Sequence, residues 1–346
     1  MFGKACCTAL TLALFATGAR AEPIRLKLSF FTSDRELAFQ AGIKPFVDAV
    51  NEEAAGLLKI EVFTRGVFGK LAQQPDLVLQ GTVDIAFVTP GLTPDKFPDQ
   101  QVMQLPGLFR SATEATQVHN ALIKAGAFED LKPFKVIAGF VNYPLPIHTK
   151  PRVTSLAELK GKRLRVNNPI EAKVLTALDA VPQVMSINEV TDAMSHGELD
   201  GAGVPLGPLF EFGIARLASY HYLLSLGSAP LLVLMNKSKF ETLPDRAKEI
   251  ISQYSGSWLG TKYVERYEAH SESVLEQLRS NPRRVVTDPT EEELRTADQA
   301  FATVRSGWLA SNPRHRELYQ AVQAQLGDIR AAAPKPNSGN DGALRN

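Results

Sequence analysis

SLAELKGKRLRVNNPIEAKVLTALDAVPQVMSINEVTDAMSHGELDGAGVP, residues 155–205, is the stretch from which the fold is read. Arg163–Val166 has the pattern of a short strand, Ile170–Leu178 that of a helix, and an apolar run leads to a second helix over Ile187–Ser195. Gly197-Glu198-Leu199-Asp200 then precedes a segment of small residues. Arg163 and Arg165 share one face of the strand. Val166-Asn167-Asn168-Pro169 breaks that strand and opens the helix, and ligands of α/β folds sit at the carboxyl ends of strands. A guanidinium presents a planar fork that holds a carboxylate by two parallel hydrogen bonds. The competing reading is that both arginines are solvated surface residues.

The same order of elements occurs upstream. Ile24–Phe30 alternates apolar and polar residues and reads as a strand, followed by a helical rhythm over Arg35–Ala54. Leu58–Phe63 is a second strand, Asp76–Gln80 ends a short helix, and Gly81-Thr82-Val83-Asp84 leads into a strand over Ile85–Val88. In both places a helix ends in Gly-x-(Val or Leu)-Asp, with glycine suited to a left-handed C-cap and aspartate to the following turn. Two copies of one strand-helix-strand order predict two similar α/β lobes.

Downstream, Leu231–Asn236 reads as a buried strand. Asp245–Leu278 reads as one long helical stretch of roughly 50 Å, longer than a single lobe, with Gly256 and Gly260 placed to bend it. Thr290-Glu291-Glu292-Glu293 is a capping box opening a helix toward Trp308, and helices continue to about Ile329. The chain is expected to leave the first lobe, build the second and return. We divide it as lobe I (22–142 with 231–270), lobe II (143–230 with 271–330) and a disordered Pro-, Gly- and Asn-rich tail (331–346).

Residues 1–21 have the form of a cleavable secretory leader: Lys4, an apolar run over Ala9–Ala16, then Ala19-Arg20-Ala21 before Glu22. The run is too short to span a bilayer. Cys6 and Cys7 are the sole cysteines, and both precede the run, so the mature chain is expected to have no lipid anchor, disulfide or thiolate metal site. Lys4 and Arg20 leave with the leader, so 36 of the 38 basic residues remain against 37 acidic ones. That balance argues against a nucleic-acid or anionic-membrane partner.

Catalytic signatures are absent: no Gly-x-Ser-x-Gly elbow, no phosphate loop and no Gly-x-Gly-x-x-Gly fingerprint. The six histidines show no metal-ligand spacing, and neither a metal nor a cofactor is expected. His148 near Tyr143 is the least unlikely nucleus of an enzyme site.

LKLSF, VNEEAAGLLKIEVFTRGVFGK, LVLQGTVDIAFV, QLPGLFRSATEA, LAELKGKRLRV, VPQVMSINEVTDAMSHGELDG and LMNKSKFETLP, taken in that order, resemble a known family. The chain is similar to the periplasmic substrate-binding proteins of tripartite ATP-independent periplasmic (TRAP) transporters, dicarboxylate-binding type, over about residues 24–329. The resemblance implies a two-lobed α/β periplasmic binding protein with a hinge and a long helix bracing both lobes. It implies a small organic acid bound between the lobes, a non-enzymatic role, and delivery to the small and large membrane subunits. It places the carboxylate-gripping arginine at Arg165, and Arg163 where the family tolerates lysine. Asn167 and Asn168 become candidates beside it. Met185, Val204 and Phe210 are candidates for the second-lobe wall, and Phe30, Phe31, Thr32, Thr89 and Tyr143 for the other side and the crossover. For the aromatic residues among these, ordinary core packing is the rival reading.

This chain departs from the family pattern at three points. Ala202-Gly203-Val204-Pro205 stands where the family carries Gln-Glu-Asn-Pro. Tyr143–His148 carries no second arginine, and Thr89 stands where some members place an acid. Fewer polar partners favour a monocarboxylate with an apolar or aromatic body, or a short oxo or hydroxy acid, over a sugar acid. A monomer in the periplasm is expected. A sensory protein of the same fold, and an enzyme acting on a carboxylate, stay open at this level.

Overall fold

The computed structural model describes residues 22–332; the leader and the tail beyond residue 332 lie outside them. Eleven strands form two sheets among the described residues: β1 Ile24–Ser29, β2 Leu58–Phe63, β3 Ile85–Val88, β4 Phe134–Asn142, β5 Ile147–Thr149, β6 Arg163–Val166, β7 Val181–Val184, β8 Gly201–Gly203, β9 Tyr220–Tyr222, β10 Ala229–Asn236 and β11 Val285–Thr287. The helices are α1 Lys44–Glu53, α2 Gln74–Leu79, α3 Ala112–Lys124, α4 Pro169–Ala177, α5 Ile187–Ser195, α6 Lys237–Glu241, α7 Asp245–Gln253, α8 Ser257–Ser280, α9 Glu291–Ser311 and α10 Pro313–Ala332.

The first sheet has the order β2-β1-β3-β10-β4 and the second β11-β9-β5-β8-β6-β7. In each, a central strand is flanked by two parallel neighbours (β2-β1-β3 and β7-β6-β8), and an antiparallel strand comes next. That strand arrives from the other half of the chain: β10 from the second, β5 from the first. The crossovers, 143–146 and 223–228, run side by side, with Leu226 N–H donating to Leu145 O (3.1 Å) and Leu145 N–H to Ser225 Oγ (3.1 Å).

The repeated Gly-x-x-Asp motif has one structural use in both lobes. Gly81 (φ +70°) and Gly197 (φ +75°) end their helices in the left-handed conformation that glycine adopts without a Cβ clash. Asp84 Oδ2 then accepts the Lys27 amide (2.7 Å) and Asp200 Oδ2 the Arg163 amide (2.8 Å), each tying a new strand to its parallel neighbour. The Arg163 guanidinium also grips Asp200 at the surface, which accounts for that arginine without a ligand.

The expected helix over Asp245–Leu278 is two helices. The chain breaks at Tyr254–Gly256, where Gly256 N–H turns to Ile137 O (2.6 Å), and Gly260 lies inside an unbroken α8. The 24 residues of α8 span about 36 Å. Its Tyr263 and Tyr267 pack in the core of the first sheet with Phe46 and Phe140, and its Val274 and Leu278 in the core of the second with Met194 and Leu209. One helix thus braces both halves. A further apolar core runs continuously behind both sheets, from Val88 through Leu164 to Trp308. The Thr290–Glu293 capping box forms as expected, and Glu293 Oε1 also accepts the Leu156 amide. Helix α10, grouped above with lobe II, packs on α3 beside the first sheet. Ion pairs hold it near both ends, Arg314–Asp99 (2.6 Å) and Arg330–Glu114 (2.5 Å).

The helical rhythm over Arg35–Ala54 starts later than expected, as a wide π turn at Phe39–Ile43 running into α1. Strand β4 and helix α3 were not foreseen; the first is an apolar run without alternation. No helix among the described residues is long and apolar enough to cross a membrane.

Candidate functional site

The carboxyl ends of the parallel strands of both sheets face one another across a cavity. Phe31 follows β1, Thr89 follows β3, Asn167 follows β6, and Gly203 ends β8; all four line it. The cavity volume is ≈ 70 Å³. Leu145 and Ala229, from the two crossovers, complete it.

Arg165 is its single basic lining residue among the described residues and is 3 % exposed. Its guanidinium donates to three neutral acceptors: Met185 O (Nε, 2.9 Å), Gly203 O (Nη1, 3.3 Å) and Asn167 Oδ1 (Nη2, 3.3 Å). It makes no ion pair with any described residue. Burial lowers its pKa to about 10, partly offset by Glu171 and Glu189, so the group stays charged at neutral pH. Beside it the buried Asn167 Nδ2 has no hydrogen-bond partner among the described residues. The fork and this amide form a cluster of donors in the cavity wall.

Local sequence builds this cluster rigidly. Asn168 caps α4, its Oδ1 accepting the Glu171 amide (2.9 Å), while Glu171 Oε2 accepts the Asn167 amide (2.9 Å). Glu171 lines the cavity too. Burial raises its pKa to about 7, against the amide of Asn167 and the charge of Arg165. A second acid, Glu36, sits in the wall, raised to about 8 by burial and then by Glu211. The rest of the wall is mostly apolar, with leucines, prolines and three aromatic rings: Phe87 and Phe31 stack (5.8 Å, 22°), and Phe31 faces Phe212 of the opposite lobe (6.4 Å, 7°).

Of the residues singled out in sequence, Arg165, Asn167, Thr89 and Phe31 line the cavity. The others do not. Phe30 lies one layer deeper than Phe31: its ring is fully buried against Phe31, Phe39 and Phe87 (5.0–5.3 Å), and Phe31 stands between it and the cavity. Val204 is buried and its carbonyl faces His148, while Gly203 and Pro205 meet the cavity. Asn168 is used up as a helix cap. Met185 contributes its carbonyl to Arg165, and its side chain packs in the second-lobe core. Phe210 lies under the Arg284 guanidinium (5.5 Å). Thr32 accepts the Arg65 amide, and Tyr143 packs between cores in the crossover. Sequence reasoning missed Glu36, Asn142, Glu171, Ile187 and Phe212. Only Glu171 left a signal, three residues after a capping asparagine.

His148, the nucleus of the enzyme reading, is sealed in the second sheet. Its Nδ1 meets His221 Nδ1 at 2.8 Å and its Nε2 meets Val204 O at 3.1 Å, away from the cavity. No cluster of potential metal ligands occurs among the described residues.

Two facing α/β lobes with one buried arginine at the strand ends define a class, the extracytoplasmic solute-binding proteins. The profile of DctP, bacterial extracellular solute-binding protein family 7, matches residues 28–308, and the chain belongs to this family. It is a TRAP-type solute-binding protein and not an enzyme. It is 24 % identical over 318 residues to the 2,3-diketo-L-gulonate-binding periplasmic protein YiaO of Escherichia coli K12, covering 90 % of this chain and 94 % of that one. A TRAP solute-binding protein of Rhodoferax ferrireducens T118, solved with copurified benzoate, superposes with a TM-score of 0.82 at 25 % identity, over 90 % of this chain and 100 % of the other. A marine-metagenome TRAP protein specific for aromatic acids, solved with metahydroxyphenylacetate, gives 0.82 at 27 % identity, over 88 % and 99 %.

Proposed function

We propose that this protein binds one small organic acid in the inter-lobe cavity, with Arg165 and Asn167 on the carboxylate, and delivers it to the small and large membrane subunits of a TRAP transporter. The observation that carries this is the buried guanidinium of Arg165, charged at neutral pH and engaged by neutral acceptors only. A buried charge that makes no ion pair among the described residues is costly even with Glu171 and Glu189 nearby, and an anionic ligand at its fork lowers that cost. The cargo is an aromatic monocarboxylate. Among the described residues Arg165 is the one cation lining the cavity, and the Phe87–Phe31–Phe212 series offers ring faces. Two structurally similar proteins were solved with benzoate or metahydroxyphenylacetate. The leader-like residues 1–21 and the periplasmic relative support a periplasmic location for the mature protein, which we read as a monomer of the two lobes with α10 added to the first.

The test is a thermal-shift screen of residues 22–346 against benzoate, phenylacetate, succinate, malate and galacturonate. A ligand that prefers the native state raises the melting temperature. Aromatic monoacids should give the largest rise, and no response to any carboxylate would sink the reading.

A further inference from the structure

The cavity has a second polar feature that the carboxylate does not use. Glu36 lines the same wall space as Arg165 and is 8 % exposed, yet it makes no ion pair with any described residue. Its Oε2 accepts the Phe39 amide (3.2 Å), the neighbouring Ala38 amide also bears on the carboxylate, and no side chain among the described residues hydrogen-bonds to it. The charged group that bears on it is another acid, Glu211, whose Oε2 accepts the Leu37 amide across the lobes (3.2 Å). A structural cap at Phe39 needs only one acceptor oxygen, and a shorter side chain would serve. A buried acid beside another acid, without a cation, is poor core design. A carboxyl held neutral by burial and by its neighbour offers one donor and one acceptor. That is the complement of a hydroxyl, and burial together with Glu211 favours this neutral form.

The geometry points to Glu36 as the specificity residue that reads a hydroxyl on the ligand's ring, so that the cavity selects a hydroxylated aromatic monocarboxylate over its bare parent and over aromatic dicarboxylates. The inference rests on the reading of Arg165 as the carboxylate partner. A site built to hydrogen-bond a hydroxyl rejects the analogue lacking it, because its own polar group is left unpaired. A second carboxylate there would meet two acids and no cation.

Isothermal titration of the mature chain with benzoate, its three monohydroxy isomers, the phthalate isomers and 4-(aminomethyl)benzoate tests it. At least one hydroxy isomer should bind tenfold or more tightly than benzoate. Glu36→Ala should bring that ratio to about one, and Glu36→Gln, which keeps a donor and an acceptor, should retain it. Where Glu36→Ala does not fold, Glu36→Ser still accepts the Phe39 amide and is read in the same way. Benzoate binding as well as every isomer, a ratio that survives Glu36→Ala, or tighter binding of a phthalate or of the ammonium compound would overturn the assignment. If the panel fails while an aliphatic carboxylate binds through Arg165, Glu36 loses its role and the carboxylate site stands. If no carboxylate binds, both readings fall.

Discussion

At the residue scale the protein turns on how one strand ends. Arg163 and Arg165 lie two residues apart on the same face, but one closes on Asp200 at the surface and the other is buried at the cavity. Removing one partner of a buried charge pair costs about 3–5 kcal/mol, so Arg165→Ala should weaken carboxylate binding by roughly two to three orders of magnitude. Arg165→Lys should fail substantially as well, since an ammonium lacks the two-pronged geometry. Calorimetry that returned near-native affinity for both variants would remove Arg165 from the site. Arg163→Ala is the contrasting control, with binding expected to hold and stability to change little, as for an exposed pair.

At the element scale the second sheet carries a titration device. His148 on β5 and His221 on β9 share a hydrogen bond, His148 is bonded on to Val204 O, and the Arg284 guanidinium abuts His221 Nε2 (3.4 Å). Burial lowers both imidazoles, His148 to about 4, and for His221 the charges of His148 and Arg284 add to it. An unfolded imidazole takes up its proton near pH 6.5, whereas the folded one resists until about pH 4. Stability is therefore full above pH 6.5 and is lost as pH falls toward 4, by about 3 kcal/mol for His148. The pair His148→Leu with His221→Phe should flatten the fall in melting temperature between pH 6.5 and 4.5; parallel curves for variant and parent would refute the assignment. The same scale shows why β4 escaped sequence reading: it is buried on both faces and so shows no period of two.

At the scale of the whole molecule, function requires the two halves to meet. Gly91, in the turn after β3, lies so close to the loop after β6 that an added Cβ would stand 2.8 Å from Asn167 Nδ2 and 2.9 Å from Asn168 Cβ. Asn168 is held by the α4 cap and the Asn167 side chain by its Oδ1 on Arg165, so making room costs one of these contacts. Gly91→Ala should thus prop the lobes apart, lowering affinity tenfold or more without touching the guanidinium. Small-angle scattering should show compaction of the parent on adding ligand and little or none in the variant. Equal compaction in both would rule out this contact as a closure point.

The chain's pattern alone determined its class. Two repeats of strand, helix and Gly-x-x-Asp, and an arginine where a strand gives way to an asparagine-capped helix, are local signals. Periodicity, capping and turn chemistry act over a few residues and survive in one dimension. Tertiary structure decided which of Phe30 and Phe31, or of Val204 and its neighbours, lines the cavity, because depth in the packed core is set by contacts with distant segments. It also decided the opposing wall: Glu36, Asn142 and Phe212 come from segments far apart in sequence and share one cavity only because two sheets face each other. No short-range pattern encodes such a convergence, since its energy is gained when distant surfaces leave water together.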